Sequence, residues 1–215
     1  WEPETEWHRA WKNKFPVAWQ ECIQYDSITN EKHIADIHTE QGLVIKFQHS
    51  HIDPVERKKR EEFYTNMVWV VDGTRLKGDY PRFLNGLRSF KQIKGRTFRV
   101  YNEKECFPQA WVGSSVPVIF DFLNYQIIGE KDWRNFLCCL LPVKLGDTAI
   151  VEFIPQQEFA GALRNGTLGT RINSMISDII QVNNENKAEA QRAAMSQIKR
   201  VNRPIRRYPG RGRRF

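Results

Sequence analysis

The sequence predicts an α/β domain whose first third runs helix, three strands, helix, strand. Three observations carry this reading. Residues 32–39 and 43–50 alternate apolar and polar side chains around a short Glu40-Gln41-Gly42 loop, the pattern of a hairpin. Asp53-Pro54-Val55-Glu56 opens a charged helix, with Asp53 as N-cap, Pro54 at the first helical position and Glu56 closing a capping box. Met67 to Val71 is then an apolar run, suited to a strand buried on both faces.

The elements follow in order. Residues 3–14 form a helix opened by Pro3, with Glu4 and Glu6 at the positive end of its dipole. Trp7 and Trp11 lie four apart and share its buried face. Residues 19–27 form the first strand. In the hairpin, a three-residue loop ending in Gly42 pairs Thr39 with Leu43 and sets Asp36 opposite Lys46, with Cβ atoms about 5 Å apart. Side chains alternate along a strand, so Lys46 and Gln48 share a face and gather with Asp36 into one polar cluster. A two-residue loop would shift the register by one and scatter that cluster. The same spacing also suits an ordinary half-buried hairpin with polar residues on its wet face.

Further along, 80–90 reads as a short helix, and 97–101 and 117–123 as strands. Residues 136–142 and 148–154 read as paired strands around Leu145-Gly146-Asp147. Residues 166–182 and 185–201 read as two helices, the second projecting from the body. The expected organisation is an α/β domain over 1–182, a helix over 183–201 and a disordered basic tail over 202–215.

Composition agrees with one domain and a sizeable core: 215 residues, 40% hydrophobic and 12% aromatic. No apolar run reaches the roughly 18 residues of a membrane-spanning helix. The chain begins with Trp, so an upstream segment is expected. Cys22, Cys106, Cys138 and Cys139 make no C-x-x-C pair and read as small core residues in a reducing compartment, hence a cytoplasmic protein. The adjacent Cys138 and Cys139 point to opposite faces of a strand. All five histidines fall at 8, 33, 38, 49 and 51; most read as ordinary polar strand residues, and His8 and His33 stand out as site candidates.

Charge is unevenly placed. Lys199, Arg200, Arg203, Arg206, Arg207, Arg211, Arg213 and Arg214 lie in the last 17 residues, which hold no acidic residue. Removing these eight from 33 basic residues leaves 25 against 25 acidic ones, so the rest of the chain is net neutral. A segment this basic, with Pro204, Pro209, Gly210 and Gly212, suits a sequence-independent grip on phosphates; the plain alternative is a solubilising extension.

Three ordered pieces resemble the competence protein CoiA-like family: Glu6-Trp7-His8-Arg9-Ala10-Trp11-Lys12, His33-Ile34-Ala35-Asp36-Ile37 and Ile45-Lys46-Phe47-Gln48-His49-Ser50. Arg60-Glu61-Glu62-Phe63-Tyr64 and Met67-Val68-Trp69-Val70-Val71-Asp72-Gly73 fit the same pattern, and the match spans roughly residues 1–75. Members of that family are regarded as PD-(D/E)XK nucleases. The resemblance implies a restriction-endonuclease-like core, a central mixed sheet flanked by helices in the order αβββαβ. It also implies Mg2+ or Mn2+ as cofactor and DNA as partner, in competence or in defence against foreign DNA. It casts Asp36 as metal ligand, Gln48 as the replacement for the usual lysine and Glu6, the acid of the first helix, as a further metal ligand; His8, one helical turn from Glu4, and His33 join the candidate site from the residues themselves. Lys46 stands where the family usually has Glu. Longer members carry an amino-terminal zinc-binding module with no visible counterpart here.

The chemistry explains what Lys46 costs. Magnesium takes hard oxygen ligands, commonly one or two carboxylates, and the bound ion generates and orients the attacking water. Asp36 with Glu at 46 would supply two carboxylates; Gln48 could orient a water but is a poor base. An ammonium at 46 instead repels a cation by several kcal/mol in a partly dry site. The sequence therefore leaves two functions open: a metal-dependent DNA endonuclease or exonuclease, working or inactivated by Lys46, or a non-catalytic nucleic-acid-binding protein on a degenerate nuclease fold.

Deleting residues 199–215 is expected to weaken binding to all DNA sequences alike and to flatten the dependence of log K on log salt by several units of slope. Binding isotherms at several salt concentrations, with and without the segment, check this. An unchanged slope would return the tail to a solubilising role.

Overall fold

The computed structural model describes residues 4–122 and 135–201, with the backbone alone over 196–201. Arg203, Arg206, Arg207, Arg211, Arg213 and Arg214 lie outside the described residues, as does the expected disorder of 202–215; so do the side chains of Lys199 and Arg200.

The chain opens with α1 (Glu6–Lys12), then the antiparallel strands β1 (Gln20–Tyr25), β2 (Lys32–His38) and β3 (Val44–Gln48). Helix α2 (Pro54–Phe63) crosses to β4 (Met67–Asp72), parallel to β3. Helices α3 (Asp79–Gly86) and α4 (Glu103–Cys106) flank the hairpin of β5 (Phe90–Lys94) and β6 (Thr97–Val100). Strand β7 (Val118–Asp121) lies parallel to β4, followed by β8 (Phe136–Leu145), β9 (Thr148–Pro155), α5 (Gln156–Arg164) and α6 (Leu168–Val201). Among the described residues the result is one mixed nine-stranded sheet, ordered β1-β2-β3-β4-β7-β8-β9-β6-β5 and flanked by helices on both faces. The expected helix, three strands, helix, strand order is present.

Each face has its own core. Trp69, Val71, Val118 and Phe120 point to the side of α2, α3 and α4, where Tyr80, Phe83 and Phe107 meet them. Val68, Val70, Ile119 and Ile150 point to the other side, under Trp11 of α1, Phe159 and Leu163 of α5 and Ile172 of α6. Strand β4 is buried along its whole length, as its unbroken apolar run requires. Cys138 and Cys139 fall in opposite cores, and all four cysteines are free thiols.

The structure changes several sequence expectations. Helix α1 is capped by Thr5, whose Oγ1 accepts from His8 N at 3.2 Å, and ends at Lys12 rather than residue 14; Pro3 lies outside the described residues. Asp53 Oδ1 caps α2 through Val55 N (2.8 Å) and Glu56 N (3.3 Å), but Glu56 faces Arg60 one turn on (2.8 Å) instead of closing the box. Helix α3 stops at Gly86, where a Cβ would collide with Cys106 Sγ, and Phe90 begins a strand. Helix α5 and strand β5 carried no sequence expectation. The two helices expected over 166–201 are one, α6. Asn183 does not break it, because its side chain bonds Lys144 O and Gly146 N at the β8–β9 turn rather than its own backbone.

One buried carboxylate ties the crossover together. Glu61 on α2 accepts from Arg57 Nη1 (2.6 Å), Trp69 Nε1 (3.1 Å) and Ser114 Oγ (2.7 Å) on Oε1. Ser115 N (3.0 Å) and Ser115 Oγ (2.7 Å) donate to Oε2. Burial pushes this carboxyl up, but the serine and backbone donors and the Arg57 guanidinium outweigh it and hold it below its ordinary 4.5.

Glu61→Ala leaves the Arg57 guanidinium buried without its partner and is expected to destabilise the fold by about 3–5 kcal/mol in urea denaturation. Because the folded pKa is depressed, the Glu61 contribution is present above the unfolded value and lost as pH falls through the folded one. The stability gap between wild type and Glu61→Ala should therefore narrow below pH 4.5; a gap constant with pH would refute this account.

Candidate functional site at Asp36

The β2–β3 hairpin closes as its spacing demands. Thr39 N donates to Leu43 O (3.0 Å), Gly42 N donates to Thr39 O (2.9 Å), and Gly42 adopts the left-handed φ of 77° that a three-residue loop needs. The ladder pairs His38 with Val44 and Ile37 with Ile45, which sets Asp36 opposite Lys46. There the ladder ends. Asp36 Oδ2 accepts from Phe47 N at 2.6 Å, and Lys46 Nζ donates to Ile34 O at 2.9 Å and to Asp36 Oδ1 at 2.7 Å. Two side chains have taken over backbone groups that a continued ladder would have paired.

The alternation of β2 also breaks at Asp36. Ala35 belongs to the core beneath α2, whereas Ile37, two residues on, belongs to the core beneath α1. Asp36 thus stands at a parting of strands, within reach of both faces. From the α1 side, His8 Nε2 lies 3.9 Å from Asp36 Oδ2, and the ring packs on Phe47 with centroids 5.4 Å apart. From the α2 side, the Tyr64 hydroxyl is pushed up to about 12, first by burial and then by the Asp36 charge. Among the described residues neither His8 Nε2 nor Tyr64 Oη has a hydrogen-bond partner.

Helix α1 is held in place from a distance. Trp7 Nε1 (3.1 Å) and Trp11 Nε1 (2.8 Å) both donate to Asp121 Oδ2 at the carboxyl end of β7. Lys12 extends the anchorage, pairing with Glu4 Oε1 at 2.9 Å and Glu21 Oε1 at 2.6 Å. Asp121 was absent from the sequence reading, although the signal was visible: the apolar runs of β4 and β7 both end in Asp. Asp72 lies beside Asp121 in the ladder and accepts from or pairs with His49 Nδ1 at 2.7 Å.

The other site candidates separate. Glu6 is exposed and makes no hydrogen bond or ion pair among the described residues, which removes it from the Asp36 cluster; Glu4, one turn before His8, is the acid beside it. Gln48 shares the strand side of Lys46 but bonds Ser50 Oγ (2.8 Å) and Ser50 O (3.2 Å), not Asp36. His33 stacks on Phe63 with centroids 3.8 Å apart and serves packing. The structure therefore brings together Asp36, Lys46 and His8 from the sequence set, and adds Tyr64.

As arranged, with Lys46 on Asp36, these residues leave no place for a magnesium or manganese ion. Asp36 brings one carboxylate, both of whose oxygens already accept hydrogen bonds, with an ammonium at 2.7 Å. Among the described residues no group of three His, Cys, Asp or Glu side chains is placed to hold a metal. What the arrangement can do is present a fixed, charge-balanced Asp36–Lys46 pair beside a neutral imidazole. Burial pushes His8 down, Asp36 and Glu4 pull it up, Lys12 and Lys46 push it down again, and the net position is below 6.5.

His8 is accordingly expected to titrate below 6.5 in an NMR pH series. Asp36→Asn should move it further down and Lys46→Met should move it up; a His8 midpoint indifferent to both would dissolve the coupling between α1 and the strand gap. No protein-family model, no curated protein and no solved structure matches this chain.

Proposed function

We propose that this chain is a nucleic-acid-binding protein built on a CoiA-like nuclease core of the PD-(D/E)XK type, with phosphodiester hydrolysis silenced by Lys46. One observation carries the proposal: Lys46 Nζ sits 2.7 Å from Asp36 Oδ1, at the strand position from which a second carboxylate would serve a metal. The ammonium supplies positive charge that a divalent ion would otherwise bring, without an open coordination position or a bound water to activate. Support for the core comes from the αβββαβ order and from Asp36 standing where β2 and β3 part. Support for nucleic acid as partner comes from the eight basic residues after position 198 in a chain otherwise net neutral.

A second reading, a metal-dependent deoxyribonuclease active as it stands with Mg2+ or Mn2+, draws on His8. Its Nε2 is buried, without a hydrogen-bond partner among the described residues, and 3.9 Å from Asp36 Oδ2, a separation that leaves room for rearrangement around an incoming ligand.

Plasmid cleavage with Mg2+ or Mn2+, run beside DNA binding by fluorescence anisotropy, separates the two. The wild-type chain is expected to bind without cutting, and Lys46→Glu to cut. Wild-type cleavage abolished by Asp36→Asn would establish the second reading. A wild-type chain that neither binds nor cuts would sink both.

A further inference from the structure

The two edges of the nine-stranded sheet are built differently. Strand β5 carries Lys91 and Lys94, and its pairing with β6 slips between Gln92 and Lys94. Charge and irregularity of this kind keep an edge from pairing with another chain. Strand β1 at the other end has no lysine or proline, and its register on β2 is unbroken from Cys22 to Tyr25. Its kink, at Glu21 with φ 53°, precedes that stretch. Among the described residues β1 pairs with β2 alone.

The exposed side chains of this edge are mainly apolar, with Glu21 on β1 and Lys32, opposite Tyr25 on β2, as its charged members. Ile23 is 52% exposed, Tyr25 60%, Ile28 at the turn beyond them 92%, and Ile34, directly opposite Ile23 on β2, 39%. At roughly 200 Å² for a fully exposed residue of this size, these fractions amount to about 500 Å² per copy and about 1,000 Å² for two copies, the lower bound of a specific interface. Apolar surface of that extent lies beside a strand edge that pairs with no further strand among the described residues.

We propose that β1 is a homodimer interface, in which two copies pair their β1 edges antiparallel about a two-fold axis. Charge selects a second copy over an acidic or basic partner. Glu21, the only charged residue of β1, is paired with Lys12 of its own chain at 2.6 Å, an ammonium it shares with Glu4. The chain before residue 199, which carries β1, is net neutral, and the +8 of the full chain lies wholly in the segment after it. Centring the pair on Gln24 sets Ile23 of one copy opposite Tyr25 of the other, an apolar cross-strand pair on one face. The interface is isologous and closes at two subunits. It does not depend on the nuclease reading, since Asp36, Lys46 and His8 take no part in it.

Sedimentation equilibrium of the full chain across micromolar concentrations should return about twice the 25.4 kDa chain mass, and Ile23→Lys should return the single-chain mass with an unchanged circular dichroism spectrum. Gln24→Cys in a Cys22→Ser background should give a disulfide-linked dimer on mild oxidation, which decides the matter if Ile23→Lys fails to fold. A single-chain mass throughout, a dimer indifferent to Ile23→Lys, or a folded Gln24→Cys protein that does not cross-link would each overturn the proposal.

Discussion

The contact on which the site depends is the carboxylate of Asp36 standing in place of a backbone partner. A hairpin whose ladder ran to the end of both strands would offer only side chains on two sealed faces. Here Asp36 takes the Phe47 amide, Lys46 takes the Ile34 carbonyl, and the strands part between them. The gap admits His8 from one layer and Tyr64 from the other, which adjacent residues on an unbroken strand could not do. Lys46 then has two physical roles. It satisfies a carbonyl that the parted ladder leaves open, and it neutralises a carboxylate that would otherwise be buried as a bare charge.

Buried carboxylates recur as the devices that join distant segments. Glu61 ties α2 to β4 and to the loop before β7. Asp121 draws both indoles of α1 across more than a hundred residues of sequence. Such groups stabilise only while their donors are all in place, because a charge taken out of water must be matched by hydrogen bonds or an opposite charge. The consequence is geometric. With α2 and α1 each pinned to the central strands from opposite sides, the two elements that reach Asp36 cannot drift independently of the sheet.

Much of the amino-terminal third was legible because its signals are local. The Glu40-Gln41-Gly42 loop specifies the hairpin register through turn geometry, and Asp53 and Pro54 start α2 through capping chemistry. The unbroken apolar run of β4 requires burial on both faces. Trp7 and Trp11, four apart, could be placed on one buried face of a helix. Local patterns also misled: the two helices expected over 166–182 and 185–201 are one, and Asn183 inside it turns its side chain to the β8–β9 turn. Glu6 reads as a site acid by its position in a motif, yet it lies on the exposed side of α1.

By itself the sequence determined the element types of the first third, the pairing of Asp36 with Lys46, and a net-neutral chain ending in eight basic residues. All of these follow from side-chain periodicity, turn chemistry and charge count. Tertiary structure alone decided that β2 changes faces at Asp36 and that His8 and Tyr64 converge there. It also decided that Asp121 holds α1, that Gln48 turns to Ser50 rather than to Asp36, and that β1 with Ile23 and Tyr25 forms an edge of the sheet. These depend on contacts between residues far apart in the chain, where the desolvation of a charge and the supply of donors around it, rather than any local preference, select the arrangement.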